Sequence, residues 1–375
     1  MNKYIHYFET EAEFNEARNN NYVEPWVSLT EPSKRVDYNK KEDEKMLETP
    51  FTIEALSSGE IIWYLGEKTV QYSKNGGEWT TLTSETPISV VSGDEVKFKG
   101  TNNAYVDFDG SFYLANYISS TAQFNVKGNI MSLTDGDNFK SATTVSSHAF
   151  YQLFSGCEYI VSAGDLKLPA TSLANFCYGS MFYGCTGLTT APSLPAMSLV
   201  YSCYEGMFYN CQSLTSAPNL PATTMAINCY AFMFYGCAGL TATPEISATT
   251  LAESCFYQMF YSCTGLTTGP EILLPTTLAS TCYREMFAMC TSLTRAPELP
   301  ATILVDSCYH QMFYGCSNLN YIKAMFTTTP GTTYTSSWVS GVASTGTFVK
   351  NASATWTTTG VSGIPTGWTV ETATV

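Results

Sequence analysis

Thirteen cysteines, the side chains in this chain best suited to nucleophilic, redox or zinc chemistry, all lie between Cys157 and Cys316. Twelve of them occur in pairs, within six copies of the pattern C-[YF]-x-x-M-F-x-x-C. The first cysteines are Cys177, Cys203, Cys229, Cys255, Cys282 and Cys308, and the second are Cys185, Cys211, Cys237, Cys263, Cys290 and Cys316. A degenerate earlier copy, AFYQLFSGC, has Ala149 in the first position. The spacing within each pair decides whether these cysteines can form disulfides or bind a metal, or whether they pack in the core.

Geometry favours packing. If a segment such as CYEGMFYNC is helical, its two cysteines lie about 12 Å apart along the axis, whereas a disulfide needs Cα atoms within roughly 7 Å. Neighbouring helices pack about 8–10 Å apart, so equivalent cysteines of adjacent units are expected to be poor partners too. The chain has no C-x₂-C and only three histidines, so we expect no zinc site. The pattern predicts buried, reduced thiols that serve as compact core residues.

No other group of side chains indicates catalysis. The histidines, His6, His148 and His310, lie in unrelated contexts, and no Ser or Cys stands beside a base in a recognisable motif. Buried thiols are poor nucleophiles. The carboxylates are too scattered to nominate a pair for glycoside hydrolysis. We therefore expect no enzyme activity and no cofactor.

Three carboxylates do recur at one position of the pattern. Glu245, Glu271 and Glu298 each stand eight residues after a second cysteine, beside the Thr-rich segments LTATP, LTTGP and LTRAP. On successive coils they could share a cation such as Ca²⁺. The alternative is a solvated edge that discourages further strand pairing, and no metal is predicted. The hydroxyl-rich face could contact a glycan or protein, although sheet propensity alone accounts for its threonines.

The cysteine pattern belongs to a longer repeat. Its starts are separated by 26, 26, 26, 27 and 26 residues, and each copy continues through a Leu and a Thr-rich segment toward the next. A fixed period of about 20–29 residues, with one Leu-centred strand and one helical turn per unit, is typical of a leucine-rich-repeat solenoid. The predicted solenoid spans residues 129–326 and holds about seven repeats of ~26 residues.

A helical wheel divides the nine positions of each copy into two faces. Positions one, two, five, six and nine are expected to face the core, and positions three, four and seven to face solvent. Tyr occupies position seven in five of six copies, which predicts a ladder of outward tyrosines on the convex side. Such rings could stack on sugars or anchor a protein interface, or each could lie flat and seal the neighbouring coil. The candidate ligand-binding residues are Tyr183, Tyr209, Tyr235, Tyr261, Tyr314, Phe232, Tyr257 and Arg284.

Composition narrows the possible partners. The chain has 18 Lys and Arg against 32 Asp and Glu, a net charge of −14, which argues against nucleic acid and anionic membranes. No apolar run is long enough to span a membrane. The opening MNKYIHYFETEAEF lacks the features of a secretory signal, so folding in a reducing cytoplasm is expected. A homo-oligomer is left open.

The segments around the repeats have distinct patterns. Residues 1–48 predict an N-terminal docking segment, in which TEAE at residues 10–13 reads as a capping box and NKKEDEKMLETP as a charged linker. Residues 49–128 contain seven strand patterns and an Asn75-Gly76-Gly77 turn, which predict a small β-sandwich. Residues 327–375 are expected to form a β-rich cap. The predicted fold class is mainly β with short helices.

Taken together, the repeat unit C-Y-x-x-M-F-x-x-C-x-x-L-T-x-x-P-x-L-P-A-T resembles the BspA-like (bacterial surface-antigen) class of leucine-rich repeats over residues 148–326. The order YFETEAEF…EPWVSLTE, YSKNGGEW…ISVVSGDEVKFKGTN, repeats and GTFVKN…GIPTGWTV is similar to proteins encoded by Bacteroidales bacteria and their phages. This resemblance implies docking to other virion proteins through the N-terminal region and display of the repeats for attachment. It supplies no catalytic residues.

The sequence and this resemblance predict a non-catalytic virion surface protein, a head- or tail-associated fibre or decoration. Its repeats would bind a glycan or protein of the host surface, after assembly in the host cytoplasm. Two alternatives stay open. One is an exported bacterial cell-surface adhesin of the same repeat class, and the other is a purely structural decoration protein with the repeats as a rigid spacer.

Overall fold

The computed structural model of the chain describes residues 6–8, 26–28, 38–108 and 113–373. The fold is mainly β, with few short helices. Its strands are β1 (His6–Phe8), β2 (Trp26–Ser28), β3 (Thr52–Ala55), β4 (Gly59–Trp63), β5 (Val70–Lys74), β6 (Thr80–Leu82), β7 (Ile88–Val90), β8 (Glu95–Gly100), β9 (Val106–Phe108), β10 (Tyr113–Ala115), β11 (Ile118–Ser120), β12 (Phe124–Asn129), β13 (Ile160–Ser162), β14 (Leu166–Lys167), β15 (Tyr321–Ala324), β16 (Thr347–Lys350) and β17 (Thr369–Thr372). Its helices are α1 (Tyr38–Glu48), α2 (Ser132–Asp135), α3 (Thr332–Thr335) and a 3₁₀ helix (Gly136–Ser141). The capping box expected at residues 10–13 lies outside the described ranges.

The segment expected to be a charged linker is instead helix α1. Its Lys, Glu, Met and Leu residues are strong helix formers, and the helix packs against β12 and β14. The Asn129 side-chain amide donates to the carbonyl of Leu47 at 3.0 Å, and Lys167 pairs with Asp43. Contacts to the rest of the protein, which the local sequence does not reveal, therefore stabilise this charged segment as a helix.

The strands before the repeats form two main sheets. One has the order β13-β12-β3-β8-β5-β6, with β14 also on β12, and the other has the order β11-β4-β7. Each of the seven strand patterns contains an observed strand, and the β5–β6 hairpin turns at Asn75 and Gly76, with φ of 52° and 74°. The buried sides share an aromatic cluster in which Trp63 lies 5.1 Å from Phe98. Because β12 also pairs with β13 and β14, this sheet continues into the repeats.

The nine-residue repeat segments are not helical, which corrects the expectation of one helical turn per unit. In the segment 203–211, alternate N–H groups donate to the carbonyl three residues earlier, as Met207 does to Tyr204 at 3.2 Å. The intervening N–H groups donate to the next coil, as Phe208 does to Met233 at 2.9 Å. Each segment is therefore a run of overlapping four-residue turns, bonded along one edge to the next coil as a strand would be.

Left-handed residues recur every four positions and produce these turns. In one copy they are Ser202, Gly206 and Asn210, with φ of 51°, 60° and 60°. Glycine adopts this conformation without steric cost and asparagine does so more readily than most residues. Position eight is mostly filled by these two types: Gly156, Gly184, Asn210, Gly236 and Gly315. The spacing of C-Y-x-x-M-F-x-x-C is thus a period of four residues.

Two columns of aromatic rings fill the interior of the repeats. Rings at position two stack from coil to coil with centroids 5.6–6.0 Å apart: Tyr178, Tyr204, Tyr230, Phe256, Tyr283 and Tyr309. Rings at position six stack with centroids 5.1–5.9 Å apart: Phe154, Phe182, Phe208, Phe234, Phe260, Phe287 and Phe313. We call these columns the inner stacks. The inner stacks stabilise the fold mainly because these rings are buried away from water.

The inner stacks join the repeats to both flanking regions. At one end Tyr105 stacks on Phe150 at 6.5 Å and Phe51 contacts Phe154 at 5.9 Å. At the other end the last ring of each inner stack contacts Trp338. Strands β15, β16 and β17 then continue the stacking as a parallel sheet. One hydrophobic core therefore runs from the first sheets to the last strands.

Candidate functional site

All 13 cysteines are buried and none forms a disulfide. Distance alone does not prevent cross-links between coils. Coils joined by backbone hydrogen bonds lie about 4.8 Å apart, as strands do, so the expected spacing of 8–10 Å was wrong. The second cysteine of each copy instead donates its S–H to the carbonyl of the position-six Phe in the preceding coil, at 2.9–3.1 Å. These donors are Cys185, Cys211, Cys237, Cys263, Cys290 and Cys316.

This S–H donor role was missed from the sequence, although a signal for it exists. Position nine is Cys in all seven copies, counting Cys157, whereas position one accepts Ala149. A side chain that only filled space would tolerate the same exchange at both positions. The two cysteines of each copy therefore differ: the second donates a short hydrogen bond to the preceding coil, whereas Cys177, a first cysteine, lies 3.9 Å from the Cys203 carbonyl.

The electrostatics of the thiols disfavour nucleophilic chemistry. Burial raises the pKa of Cys157, Cys203 and Cys237 from 9.0 to about 12. A thiol with such a pKa is neutral at physiological pH, and the neutral thiol is neither a good nucleophile nor a metal ligand. Across the described ranges, no three His, Cys, Asp or Glu residues come together as a metal site would require. Of the three recurring carboxylates, Glu298 instead forms an ion pair with Lys323 at 3.0 Å.

Four of the candidate tyrosines form a continuous stack on the outer side of the turn segments. Tyr183, Tyr209, Tyr235 and Tyr261 follow one another at centroid distances of 4.6, 4.4 and 4.7 Å, with interplanar angles of 12°, 4° and 4°. We call these four rings the tyrosine ladder. Partial burial and the neighbouring Tyr235 and Tyr183 raise the pKa of Tyr209 to about 12. Along its length the ladder turns ring edges outward, because the ring faces cover one another.

The fifth candidate tyrosine stands apart from the ladder. Tyr314 is separated from Tyr261 by one coil, where position seven is Ala288, and Ala288 is fully buried. Burial, Tyr235, Glu285 and Tyr314 together raise the pKa of Tyr261. Tyr314 therefore lies beyond the ladder as a separate exposed ring, close enough to influence Tyr261.

The remaining three candidates form one cluster. Phe232 meets Tyr257 edge to face at 4.9 Å, and the Arg284 guanidinium lies 5.6 Å from the centre of the Tyr257 ring. Arg284 Nε also donates to Glu285 at 3.0 Å, and the Gln258 amide donates to the same carboxylate. Position four was expected to face solvent, but Glu285 is buried because these two donors satisfy its oxygens. The arrangement holds a guanidinium beside an aromatic ring at the surface, which suits recognition.

A second aromatic cluster lies just before the repeat pattern, with His148 and Phe176 one residue and Tyr201 two residues before a first position. His148 stacks on Phe176 at 5.0 Å, and Phe176 contacts Tyr201 at 5.3 Å. Sequence reasoning missed it because it considered only the nine positions that begin at each first cysteine. The recurrence of a left-handed residue at position zero, as at Phe176 with φ of 55°, would have extended the pattern by one residue.

The model of the BspA type leucine rich repeat region, in 6 copies, matches residues 129–259 and 233–335, more than half of the chain. This chain belongs to the BspA-type leucine-rich-repeat family. The match confirms the repeat class predicted from the cysteine pattern. No curated protein and no solved structure matches the chain.

The BspA-type region contains both inner stacks and the whole tyrosine ladder. It also contains the Phe232, Tyr257 and Arg284 cluster, so every candidate ligand-binding residue lies on the repeats. Among the helices within the described ranges, none has the length and apolar character needed to cross a membrane.

Proposed function

We propose that this BspA-type protein is a non-catalytic binding protein that presents the outer face of its repeats to a cell-surface glycan or protein. The observation that carries the proposal is the tyrosine ladder, a row of aromatic rings in contact with solvent. Aromatic residues are enriched where protein surfaces bind partners, because they offer large contact areas at low conformational cost. The Tyr257 and Arg284 cluster adds a charged hydrogen-bond donor to that face.

The same features weigh against an enzyme. The most numerous reactive groups, the thiols, are buried and neutral. The carboxylate most enclosed on the outer face, Glu285, has its oxygens satisfied by Gln258 and Arg284. Function in this proposal rests on shape and surface, without a reacting group.

The proposed architecture is a rigid repeat solenoid between two terminal units. The sheets of residues 49–128 act as a β-sandwich that supports the first coil, and residues 327–375 act as the cap. In support, the N–H of Tyr105 donates to the carbonyl of Ala149 at 2.9 Å, as the N–H groups of one coil donate to the next. A rigid support of this kind holds the outer rings in a fixed register for a ligand.

The proposed setting is the surface of a phage particle, with residues 1–48 docking to other virion proteins. This setting rests on the resemblance of the opening and closing segments. The second candidate is a bacterial cell-surface adhesin. Mass spectrometry of purified particles and of host envelope fractions separates the two, since the chain is expected in the particles.

Binding itself is tested with the labelled full-length protein on intact bacteria, measured by flow cytometry. The quadruple variant of the tyrosine ladder, with Ser at Tyr183, Tyr209, Tyr235 and Tyr261, is expected to lose most binding. A matched control replaces Thr189, Thr215, Thr241 and Thr267, on the strand side of the same four coils, with Ala and is expected to bind normally. Circular dichroism checks that both variants fold. Wild-type binding by the ladder variant would favour the rigid-spacer alternative.

A further inference from the structure

The tyrosine ladder has one open end. Tyr183 is its first ring, and position seven of the preceding copy is Ser155 instead of Tyr. Tyr183 is 40% exposed, as much as the separate Tyr314 at 39%. The far end of the ladder differs, because Ala288 beyond Tyr261 is fully buried. Of the two end rings, Tyr183 is exposed and Tyr261 is half-buried, so the Tyr183 end is the better placed to offer a ring face to a ligand.

The coil next to this open face carries only small side chains there, Ser155 and Gly156, and we call this part of the coil the shelf. Gly156 N–H donates to the carbonyl of Tyr183 at 2.7 Å, so the shelf continues the spacing of the ladder. Gly156 has φ of 73°, and a Cβ added there would meet no atom within 4 Å. Ser155 is partly exposed and carries only a hydroxymethyl group. The ladder position at Ser155 therefore carries no ring and has open space beside it, and we call this position the vacant rung.

We propose that this vacant rung is a subsite for the C–H face of a pyranose ring. A sugar ring placed there would continue the ladder at the spacing the tyrosines already keep. The electron-rich face of Tyr183 attracts C–H groups, while the Ser155 hydroxyl and the Gln152 amide on the same coil can meet sugar hydroxyls. A pyranose has both an apolar face and a hydroxyl rim, and so fits both features. The inference rests on the proposed function and names the ligand class of that face.

The other aromatic surfaces of the repeats are less suited to this ligand. Tyr209 and Tyr235 have a ring against each face. Two other, half-buried rings are covered by the protein's own guanidinium groups, with Arg295 at 3.7 Å from the Tyr321 ring and Arg284 over Tyr257. Among the residues that the structure describes, the cation–ring contacts involve Trp79, Tyr257, Tyr321 and Trp356, and none involves Tyr183.

The experiment uses saturation-transfer difference NMR on the full-length protein with methyl β-D-glucopyranoside, methyl β-D-galactopyranoside and methyl α-D-mannopyranoside. At least one is expected to receive saturation mainly at its ring C–H protons. Ser155→Tyr fills the rung and Tyr183→Ala removes the platform, so each is expected to weaken binding roughly tenfold or more. Ser155→Ala keeps the rung vacant and removes only one hydroxyl partner, so it is expected to weaken binding less than either of these variants. The control Tyr159→Ala removes a similarly exposed ring, 44% exposed, outside the ladder and is expected to bind within about twofold of wild type.

Several results would overturn the subsite. They are unchanged pyranoside binding by Ser155→Tyr and Tyr183→Ala, no binding of any of the three pyranosides, or preferential binding of N-acetyl-tyrosinamide or tetramethylammonium. The last two probes would indicate an aromatic peptide or a cationic ligand. Tyr183→Ala decides the test if Ser155→Tyr does not fold. The proposed function fails separately: if the ladder variant still binds cells normally, the outer face is not the binding surface, whatever the NMR result.

Discussion

The inner stacks and the tyrosine ladder are both columns of aromatic rings at one position of successive coils, and they lie on opposite sides of the same backbone. The inner column at position two keeps an aromatic ring in every copy from Phe150 to Tyr309. The ladder is interrupted at Ser155 and again at Ala288. A missing inner ring would leave a cavity, whereas a missing outer ring exposes a little more surface. The interior is therefore constrained by packing, and the outer side can vary to suit a ligand.

The largest expected effect is a loss of stability at high pH, caused by the buried thiols of the interior. The folded protein holds thiols such as Cys157 and Cys237 with a pKa of about 12, against 9.0 when unfolded. Between these values the unfolded chain releases protons that the folded chain retains, so the free energy of unfolding falls as pH rises from about 9 toward 12. Below pH 9 this contribution is fully present. Urea unfolding followed by circular dichroism from pH 7 to 11 measures the decline.

Thiol labelling provides a direct check on the same residues. At pH 8 the native protein is expected to react slowly with a thiol reagent, and the denatured protein to react at all 13 cysteines. Rapid labelling of the native protein would contradict the burial of these sulfurs. Stability that stays constant from pH 9 to 11 would contradict their raised pKa.

The next effect compares two adjacent residues. Phe208→Ala removes a ring from an inner stack and is expected to lower the free energy of unfolding by about 3–5 kcal/mol. Tyr209→Ala removes the neighbouring outer ring and its two stacking contacts and is expected to cost about 1–2 kcal/mol. Both are measured by urea unfolding at pH 7. Equal losses would mean that the tyrosine ladder is as structural as the interior.

The smallest effect separates the two cysteines of one copy. Cys211→Ala removes the S–H donor to the Phe182 carbonyl, whereas Cys203→Ala repeats the exchange already present at Ala149. The first variant is expected to be less stable than the second by roughly 0.5–1 kcal/mol. Each substitution deletes one S–H group, so the difference between the two losses of stability isolates the hydrogen bond between coils. A larger loss for Cys203→Ala would contradict this division of roles.

The sequence was sufficient to predict which positions face inward, but not the conformation that places them there. Over nine residues a helical period of 3.6 and a turn period of four assign positions one, two, five, six and nine to the same side. Some left-handed positions carry Thr281, Gln258 or Met289, which disfavour that conformation locally and are held in it by bonds to the next coil. Such bonds depend on neighbouring coils and leave little trace in a single copy.

The candidate site shows the same limit. The outer position of Tyr183 to Tyr261 followed from spacing alone. Their face-to-face stacking depends on how closely the coils approach, and the predicted 8–10 Å was too large. The burial of Glu285 was also not predictable from its own position, since it requires Gln258 from the preceding coil. The structure therefore departs from the sequence expectations in the spacing of, and the contacts between, successive copies.

The hydrogen bonds from each coil to the next have an evolutionary consequence. Because a coil bonds mainly to its immediate neighbours, unequal recombination between equivalent points of two copies would remove or duplicate a whole unit and rejoin matching edges. The 27-residue unit, residues 255–281, still bonds to the next coil, as the N–H groups of Phe256 and Leu273 donate to the carbonyls of Cys282 and Glu298 at 3.0 Å, so a single extra residue is also tolerated. Genes of this kind could lengthen or shorten the displayed surface in single-coil increments while the terminal units remain unchanged.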